Sequence, residues 1–260
     1  MEIEAILTPA ELPALKQREL CDAACVVFDV LRATSTFVTA LHNGAKAIVP
    51  VSDIAEALAF RRKQPDVFLG GERDGVRIRA ARTGGIDFDL GNSPREYTPE
   101  KVRGKTIVST TTNGTRALRA CAGAKTILAA SFLNLSATAQ FIEKLQPTLV
   151  LLVCAGTREN TALEDVLAAG AFCEILDTLL APSFSPPGQG EGFIQMSDSA
   201  EMARRVYAWA KSDLLAAVRN SENARRLLAI PELRDDVPFC LQQDIFPLVA
   251  KLEADGTIRC

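Results

Sequence analysis

The stretch "AACVVFDV" (residues 23–30) decides the fold, because an unbroken apolar run reaches Asp29 with no polar residue at alternate positions. Such a strand is buried on both faces, as in a parallel sheet covered by helices. Five later runs have the same character, and most are separated by segments with apolar residues at helical spacing. We therefore predict an α/β fold with largely parallel sheets covered by helices on both faces. The five runs are "AKAIVPV" (45–51), "VFLGG" (67–71), "KTIVSTT" (105–111), "AKTILAA" (124–130) and "TLVLLVCA" (148–155).

Two segments of the chain resemble each other at a constant offset of 79 residues. "HNGAKAIVPVS" (42–52) aligns with "CAGAKTILAAS" (121–131), and the same offset places residues 33–36 on residues 112–115. Self-similarity at a fixed offset is the sequence signature of a repeated structural unit. The chain is therefore predicted to contain two related strand–loop–helix–strand units, each with a hydroxyl-rich loop after its first strand.

A third strand–loop–helix unit begins at residue 148, and the Pro/Gly/Ser segment "APSFSPPGQGEG" (181–192) is predicted to be an exposed loop. A chain of 260 residues can bury one large core. We predict a single catalytic unit over 1–260, with a subdivision near 1–140, the duplicated units, and 141–260, the third unit with the C-terminal helices and strand.

Composition excludes several classes of partner. The 29 basic and 32 acidic residues give a net charge of -3, and the basic residues are scattered, so we expect no nucleic-acid partner. The longest apolar run is too short to cross a bilayer and the first residues are acidic, which predicts a cytoplasmic protein without a membrane partner. The only histidine, His42, precedes an Asn-Gly helix stop at the opposite end of its helix from the strand ends. Any chemistry is therefore expected to proceed without histidine.

In an open parallel sheet, ligands bind beyond the carboxyl ends of the strands. The loops there are rich in hydroxyls and precede helices, whose first N–H groups favour phosphate and other oxyanions. The alternative is that Thr and Asn only cap these helices. We expect an anion pocket, with positive charge supplied by Arg32. The candidate substrate-binding residues are Thr34, Ser35, Arg73, Asn113, Gly114 and Thr115.

Four carboxylates are expected at the same edge of the sheet: Asp29 at the end of its strand, Glu72 in "GGERDG" (70–75), and Glu164 and Asp165 at the start of a helix. Oxygen ligands without a histidine or thiolate cluster favour magnesium. Asp29, Glu72 and Asp165 are the candidate Mg²⁺ ligands. The alternatives are ion pairs of Asp29 with Arg32 or of Glu72 with Arg73, and a solvated Glu164 or Asp165.

Seven short blocks, in order and at compatible spacing, resemble the 2-phosphosulfolactate phosphatase family. The resemblance runs from about residue 25 onward, and the third and fourth blocks together are its most specific part. Asp74 departs from the pattern, which tends to have glycine there. The blocks are "DVLRATST" (29–36), "GGER" (70–73), "FDLGNSP" (88–94), "TTTNGTRAL" (110–118), "CAG" (154–156), "LEDVLAAG" (163–170) and "CLQQD" (240–244).

The resemblance implies a magnesium-dependent phosphatase that converts 2-phospho-3-sulfolactate to 3-sulfolactate and phosphate, a step in coenzyme M biosynthesis. Within that chemistry we expect Asp29, Arg32 and Asp165 to be catalytic, because phosphate-ester hydrolysis requires positioning and neutralisation of the phosphoryl oxygens. The alternatives are a phosphatase of another small phosphorylated hydroxy acid and a non-catalytic anion-binding protein. The partner is a small anionic phosphate ester, and a homo-oligomer is compatible with the sequence.

Overall fold

The computed structural model describes residues 1–180 and 194–260, and the loop predicted at 181–192 lies outside them. The described strands form one sheet of eleven strands. The strands are β1 (Glu2–Ile6), β2 (Ala23–Phe28), β3 (Ala47–Pro50), β4 (Phe68–Arg73), β5 (Val76–Arg77), β6 (Thr106–Thr110), β7 (Thr126–Ala130), β8 (Leu149–Cys154), β9 (Gln195–Met196), β10 (Ala250–Leu252) and β11 (Ile258–Arg259).

Helices connect most of these strands, and three additional short 3-10 helices lie at Pro9–Glu11, Pro94–Glu96 and Phe132–Asn134. The α-helices are α1 (Leu12–Leu15), α2 (Ala33–His42), α3 (Ile54–Lys63), α4 (Ala80–Thr83), α5 (Pro99–Val102), α6 (Gly114–Ala120), α7 (Leu135–Leu145), α8 (Leu163–Leu180), α9 (Asp198–Ala210), α10 (Leu214–Val218), α11 (Glu222–Leu228) and α12 (Asp236–Cys240).

The sheet consists of two groups of parallel strands joined by an antiparallel hairpin. One group has the order β4-β6-β3 and the other has the order β7-β2-β8-β1-β9. Between them, β11 pairs with β3 and β10 pairs with β7, both antiparallel. The predicted α/β class with a largely parallel sheet is confirmed. Five of the six apolar runs contain a whole strand, and the run at 67–71 contains the first part of β4.

Strand β2 shows why its sequence is continuously apolar. Ala24, Val26 and Phe28 pack into one hydrophobic cluster with α7, α8 and α9. Cys25 and Val27 point to the other face and pack into a second cluster with α1, α2 and α6. Successive residues of a strand face opposite sides of a sheet, so covering both sides leaves no position for a polar residue.

The two predicted strand–loop–helix–strand units each connect one group of parallel strands with the other, across the hairpin. The chain passes from β2 through α2 to β3 in the other group, and it returns from β6 through α6 to β7. The loop after β2 and the loop after β6 consequently meet at one place in the sheet. The 79-residue repeat stays a prediction, as do the single catalytic unit and its subdivision near residue 140.

The histidine lies far from this meeting point in its helix. His42 is the last residue of α2 and its ring stacks on Phe246, with 4.1 Å between the ring centroids. Among the described residues, no helix combines the length and apolar character needed to cross a membrane.

Candidate active site

A polar cleft opens where the carboxyl ends of β2, β4 and β6 approach the loop after β8 and the helix α11. The empty space in it, counted out into open solvent, is about 560 Å³. Four of the predicted residues line it: Asp29, Arg32, Glu72 and Asn113. The cleft therefore lies at the edge of the sheet that the sequence predicted.

Asp29 follows β2 directly and is buried. Its Oδ1 accepts a hydrogen bond from the Ala33 N–H at 3.1 Å, and no described residue donates to Oδ2. Burial raises the pKa of Asp29 to about 6; the Ala33 N–H and the charge of Arg32 act against this rise, and the charges of Glu72 and Glu164 add to it. A carboxyl group that titrates near neutral pH in a cleft is suited to proton transfer or to nucleophilic attack.

Gly114 brings the first turn of α6 against Asp29. A Cβ at this position would lie 2.7 Å from Asp29 Oδ2 and 2.6 Å from the Ala33 Cβ, closer than side chains pack. Only glycine allows the loops after β2 and β6 to come this close. Gly114 thus shapes the wall of the cleft, although it does not line the cleft itself.

Glu72, near the end of β4, is held on both oxygens. Oε1 accepts hydrogen bonds from the N–H and the hydroxyl of Thr112, at 3.0 and 2.8 Å, and Oε2 accepts one from the Gly75 N–H at 2.8 Å. Asp74 and Gly75 form the two-residue turn between β4 and β5, with φ of 58° and 81°. A turn with two positive φ angles favours Asp-Gly, which explains how an aspartate is tolerated at the departure from the family pattern.

Arg32 forms an ion pair with Asp236 rather than with Asp29. Its Nη1 donates to Asp236 Oδ2 at 2.7 Å, and both side chains are buried. Its Nη2 donates to the carbonyl of Gly75. The alternative predicted from the sequence, an ion pair between Asp29 and Arg32, is wrong, because Arg32 pairs with Asp236 on α12 instead. The role of Arg32 in catalysis stays a prediction.

The hydroxyls of the predicted anion loops bond mainly to the backbone nearby. Thr34 accepts from the Asp29 N–H, and Ser35 donates to the Val30 carbonyl. Thr115 donates to the Thr111 carbonyl. These bonds tie each hydroxyl to the backbone of its own turn. They are not N-caps, because neither α2 nor α6 has a side-chain hydrogen bond at its N-cap residue, so the capping alternative is wrong for these side chains.

Asn113 and Arg73 also bond to the protein. Asn113 lines the cleft and donates to the carbonyl of Gly156 at 2.7 Å, which ties the loop after β6 to the loop after β8. Arg73 donates to the Glu72 carbonyl and to Thr110, and it does not line the cleft. Among the described residues it forms no ion pair with Glu72.

Asp165 lies behind the cleft rather than in it. Its Oδ1 accepts the Val30 N–H at 2.8 Å and its Oδ2 accepts the Gly156 N–H at 2.9 Å. Burial, with the charges of Asp29 and Glu164, raises its pKa well above the usual range. The geometry joins the loops after β2 and β8, so Asp165 positions the cleft; its metal-binding and catalytic roles stay predictions.

Sequence reasoning did not assign Arg158, Arg226 or Asn223 to the site, and all three line the cleft. Glu164, expected at this edge of the sheet, is buried rather than solvated and accepts a hydrogen bond from Asn223 at 2.7 Å. Burial raises the pKa of the Cys154 thiol well above its usual range, so it is not a thiolate nucleophile at neutral pH. Nothing near α11 in the sequence indicated a ligand site.

The acidic side chains offer a partial metal site. Within residues 1–180 and 194–260, no three His, Cys, Asp or Glu side chains are grouped as a metal centre. Asp29 Oδ2 faces no donor, and Glu164 Oε2 is buried without a hydrogen-bond partner. Magnesium typically takes only one or two carboxylates, with waters and substrate phosphate as its other ligands. The donor set therefore fits a magnesium ion held jointly by protein and substrate.

Comparison with known proteins places the chain in a family. A family model described as 2-phosphosulpholactate phosphatase matches residues 7–255. A protein of Caldicellulosiruptor saccharolyticus is 45% identical over 95% of this chain and 96% of its own length. One from Caldanaerobacter subterraneus subsp. tengcongensis is 38% identical, over 95% and 94%. One from Thermotoga maritima is 39% identical, over 87% and 88%.

All three relatives carry the name "Probable 2-phosphosulfolactate phosphatase". The matched residues include every strand of the two parallel groups except β1, and every side chain placed in the cleft above. The family model covers nearly the whole chain, and the relatives are well above 30% identical. The chain therefore belongs to the 2-phosphosulpholactate phosphatase family.

Proposed function

We propose that this protein is a magnesium-dependent phosphatase that hydrolyses 2-phospho-3-sulfolactate to 3-sulfolactate and phosphate, a step of the kind used in coenzyme M biosynthesis. The observation that carries the proposal is a cleft with buried carboxylates on one side and arginines on the other, in a chain of this family. The substrate has a phosphate, a carboxylate and a sulfonate, and the two arginines together with the proposed ion would balance these charges.

Asp29 and Glu72 are the proposed magnesium ligands at the cleft, with Asp165 retained as a third candidate. Asp29 has the open oxygen, whereas both oxygens of Asp165 already accept backbone N–H groups. Bound magnesium would neutralise charge on the phosphoryl oxygens. The orphaned oxygen of Glu164 supports a cation nearby, because a buried acceptor without a partner is costly.

The chain's own residues would position and activate the reactants. Asp29 either accepts a proton from an attacking water or attacks phosphorus through its carboxylate to give an acyl phosphate, which water then hydrolyses to phosphate and free Asp29. In both routes the bond from phosphorus to the substrate's C2 oxygen breaks, and that oxygen takes up a proton from Asp29 or from water as 3-sulfolactate leaves. The Asp29 pKa of about 6 permits both roles at neutral pH. Quenching during turnover and reducing with borohydride separates them, since an acyl phosphate on Asp29 is reduced to homoserine and direct attack by water leaves the aspartate unchanged.

The deciding experiment measures phosphate release from a panel of esters with and without magnesium. We expect 2-phosphosulfolactate to be the preferred substrate, activity to disappear with a chelator and return with magnesium, and Asp29→Asn to be inactive. Asp66→Asn is the matched control, because Asp66 is exposed and precedes β4, at the opposite end of that strand from Glu72. Preference for another phosphorylated hydroxy acid would refute the substrate, and no magnesium-dependent turnover of any ester would favour the anion-binding alternative.

We also propose a cytoplasmic location. All seven cysteines are free and five of them are buried, which suits a reducing compartment. The absence of a nucleic-acid partner and the homo-oligomer stay predictions. A duplication of the strand–loop–helix–strand unit is proposed on the element order β2-α2-β3 and β6-α6-β7.

A further inference from the structure

The helix α11 brings an arginine without a carboxylate partner into the cleft. Arg226 lines the cleft, and its Nε is buried without a hydrogen-bond acceptor among the described residues. Within the same residues no carboxylate oxygen comes within ion-pair distance of it, in contrast to Arg32 with Asp236. A buried cationic donor left unpaired costs free energy, and an anionic ligand would remove that cost.

Asn223 holds this guanidinium in place. One turn before Arg226, it donates through Nδ2 to Thr157 at 2.6 Å and to Glu164 at 2.7 Å. Two acceptors on that side fix the orientation of the amide, so Oδ1 faces Arg226 and accepts from its Nη2 at 2.8 Å. The guanidinium is therefore oriented before a ligand binds, and its Nε–H remains available.

Arg158 lines the same cleft from the loop after β8. It has a φ of 56° and an exposed side chain, and no described carboxylate pairs with it. The neighbouring Glu159 pairs with Arg116 instead. The cleft thus has two unpaired guanidinium groups on the side contributed by α11 and the loop after β8, while Asp29 and Glu72 lie on the side contributed by β2 and β4.

We propose that Arg226, oriented by Asn223 and assisted by Arg158, binds the second anionic group of the substrate, a carboxylate or sulfonate, rather than the phosphoryl group. This inference rests on the proposed function for the reaction but concerns the choice of substrate. The phosphoryl group would bind at Asp29 and the proposed metal. The guanidinium groups of Arg226 and Arg158 would then bind the substrate's other anionic groups. A phosphate ester without a second anion would leave Nε–H unpaired and would be selected against.

The test compares three esters: 2-phosphosulfolactate, 2-phospholactate, which lacks the sulfonate, and 4-nitrophenyl phosphate, which lacks both additional anions. For Arg226→Gln we expect kcat/KM to fall about tenfold or more for the first ester and to change little for the third. The effect of Arg226→Gln on 2-phospholactate hydrolysis shows which group Arg226 binds. If Arg226 binds the carboxylate, kcat/KM for 2-phospholactate falls as well; if it binds the sulfonate, kcat/KM for this ester changes little. Arg226→Lys should recover part of the loss by restoring the charge without the planar fork.

Arg225→Gln is the matched control, because Arg225 is exposed on the same helix and has the same side chain. Equal losses on all three esters would overturn the inference by assigning Arg226 to the phosphoryl group. No loss on any of them would also overturn it. Unchanged circular dichroism and melting temperature in the variants establish that the fold is intact.

Binding measurements separate this inference from the proposed function. By calorimetry, the unmodified protein should bind 3-sulfolactate, and Arg226→Gln should weaken that binding about tenfold while leaving inorganic phosphate unaffected. If no ester is hydrolysed but this pattern holds, the phosphatase proposal fails and the anion subsite stands. If neither 3-sulfolactate nor lactate binds in an Arg226-dependent manner, the subsite is wrong whatever the turnover.

Discussion

Replacing Asp29 by asparagine should abolish turnover and, in the metal-free protein, increase stability. Burial raises the pKa of Asp29 from 3.8 to about 6 in the folded protein, so its charged form is disfavoured by the fold. At about 1.36 kcal/mol for each pKa unit, this amounts to roughly 3 kcal/mol of unfolding free energy above pH 6 or so. Asparagine removes the charge, and its weaker bond to the Ala33 N–H offsets part of the gain, so we expect a net increase of about 2 kcal/mol.

The sign follows from the direction of the pKa change. Below about pH 4 the carboxyl group is protonated in both the folded and the unfolded chain, so the wild type and the Asp29→Asn variant should be similarly stable. Between about pH 4 and 6 the unfolded chain releases the Asp29 proton while the folded wild type keeps it, so the wild type loses stability over this range, whereas the variant does not. The stability difference should therefore open between these two pH values and stay constant above them.

Urea unfolding at a series of pH values, in the presence of a chelator, measures this difference. Asp66→Asn, at an exposed position, serves as the control and should show no such pH-dependent gap. Added magnesium should stabilise the wild type and not Asp29→Asn. A variant that is less stable than wild type at neutral pH, or a difference that is the same at all pH values, would refute the assignment of a buried, strained charge to Asp29.

Three further predictions concern the walls of the cleft. Gly114→Ala should lower both kcat and stability, because the added Cβ collides with Asp29; activity and urea unfolding check this, and wild-type activity would contradict it. Asp236→Asn should lower the free energy of unfolding, measured in urea, by about 3–5 kcal/mol, because Arg32 remains buried with a weaker partner. A loss below about 1 kcal/mol would contradict this and mean that the pair is solvated. Asp165→Asn should lower the free energy of unfolding by about 1–3 kcal/mol, because one acceptor oxygen is replaced by an amide N–H that faces a backbone N–H. A melting curve unchanged from wild type would count against the role of Asp165 in joining the two loops.

The strands could be predicted because a strand buried on both faces has apolar residues at every position, which is visible in the sequence. The run ending at Asp29 has no polar residue at alternate positions, and its two faces indeed pack against different helices. The carboxylates Asp29 and Glu72 share one cleft for a related reason: parallel strands end at the same edge of the sheet. Local patterns and strand direction were sufficient for this part of the site.

The arginines of the cleft could not be predicted in this way. Arg226 comes from a helix about seventy residues after β8, and no local pattern distinguishes it from Arg225 beside it. Arg32 looked available because its partner, Asp236, lies 204 residues away. The hydroxyl-rich loops suggested ligand contacts, but most of those hydroxyls satisfy the backbone of their own turn, an outcome that sequence alone does not separate from anion binding.

The hairpin of β10 and β11 joins two groups of strands that both precede it in the chain. During synthesis each group therefore emerges with an unpaired inner edge, β7 on one side and β3 on the other, until the hairpin arrives. Unpaired strand edges are templates for association between chains. Newly made protein should be most vulnerable to aggregation just before the sheet is completed, and variants that weaken the hairpin should reduce soluble yield more than they reduce the stability of the molecules that fold.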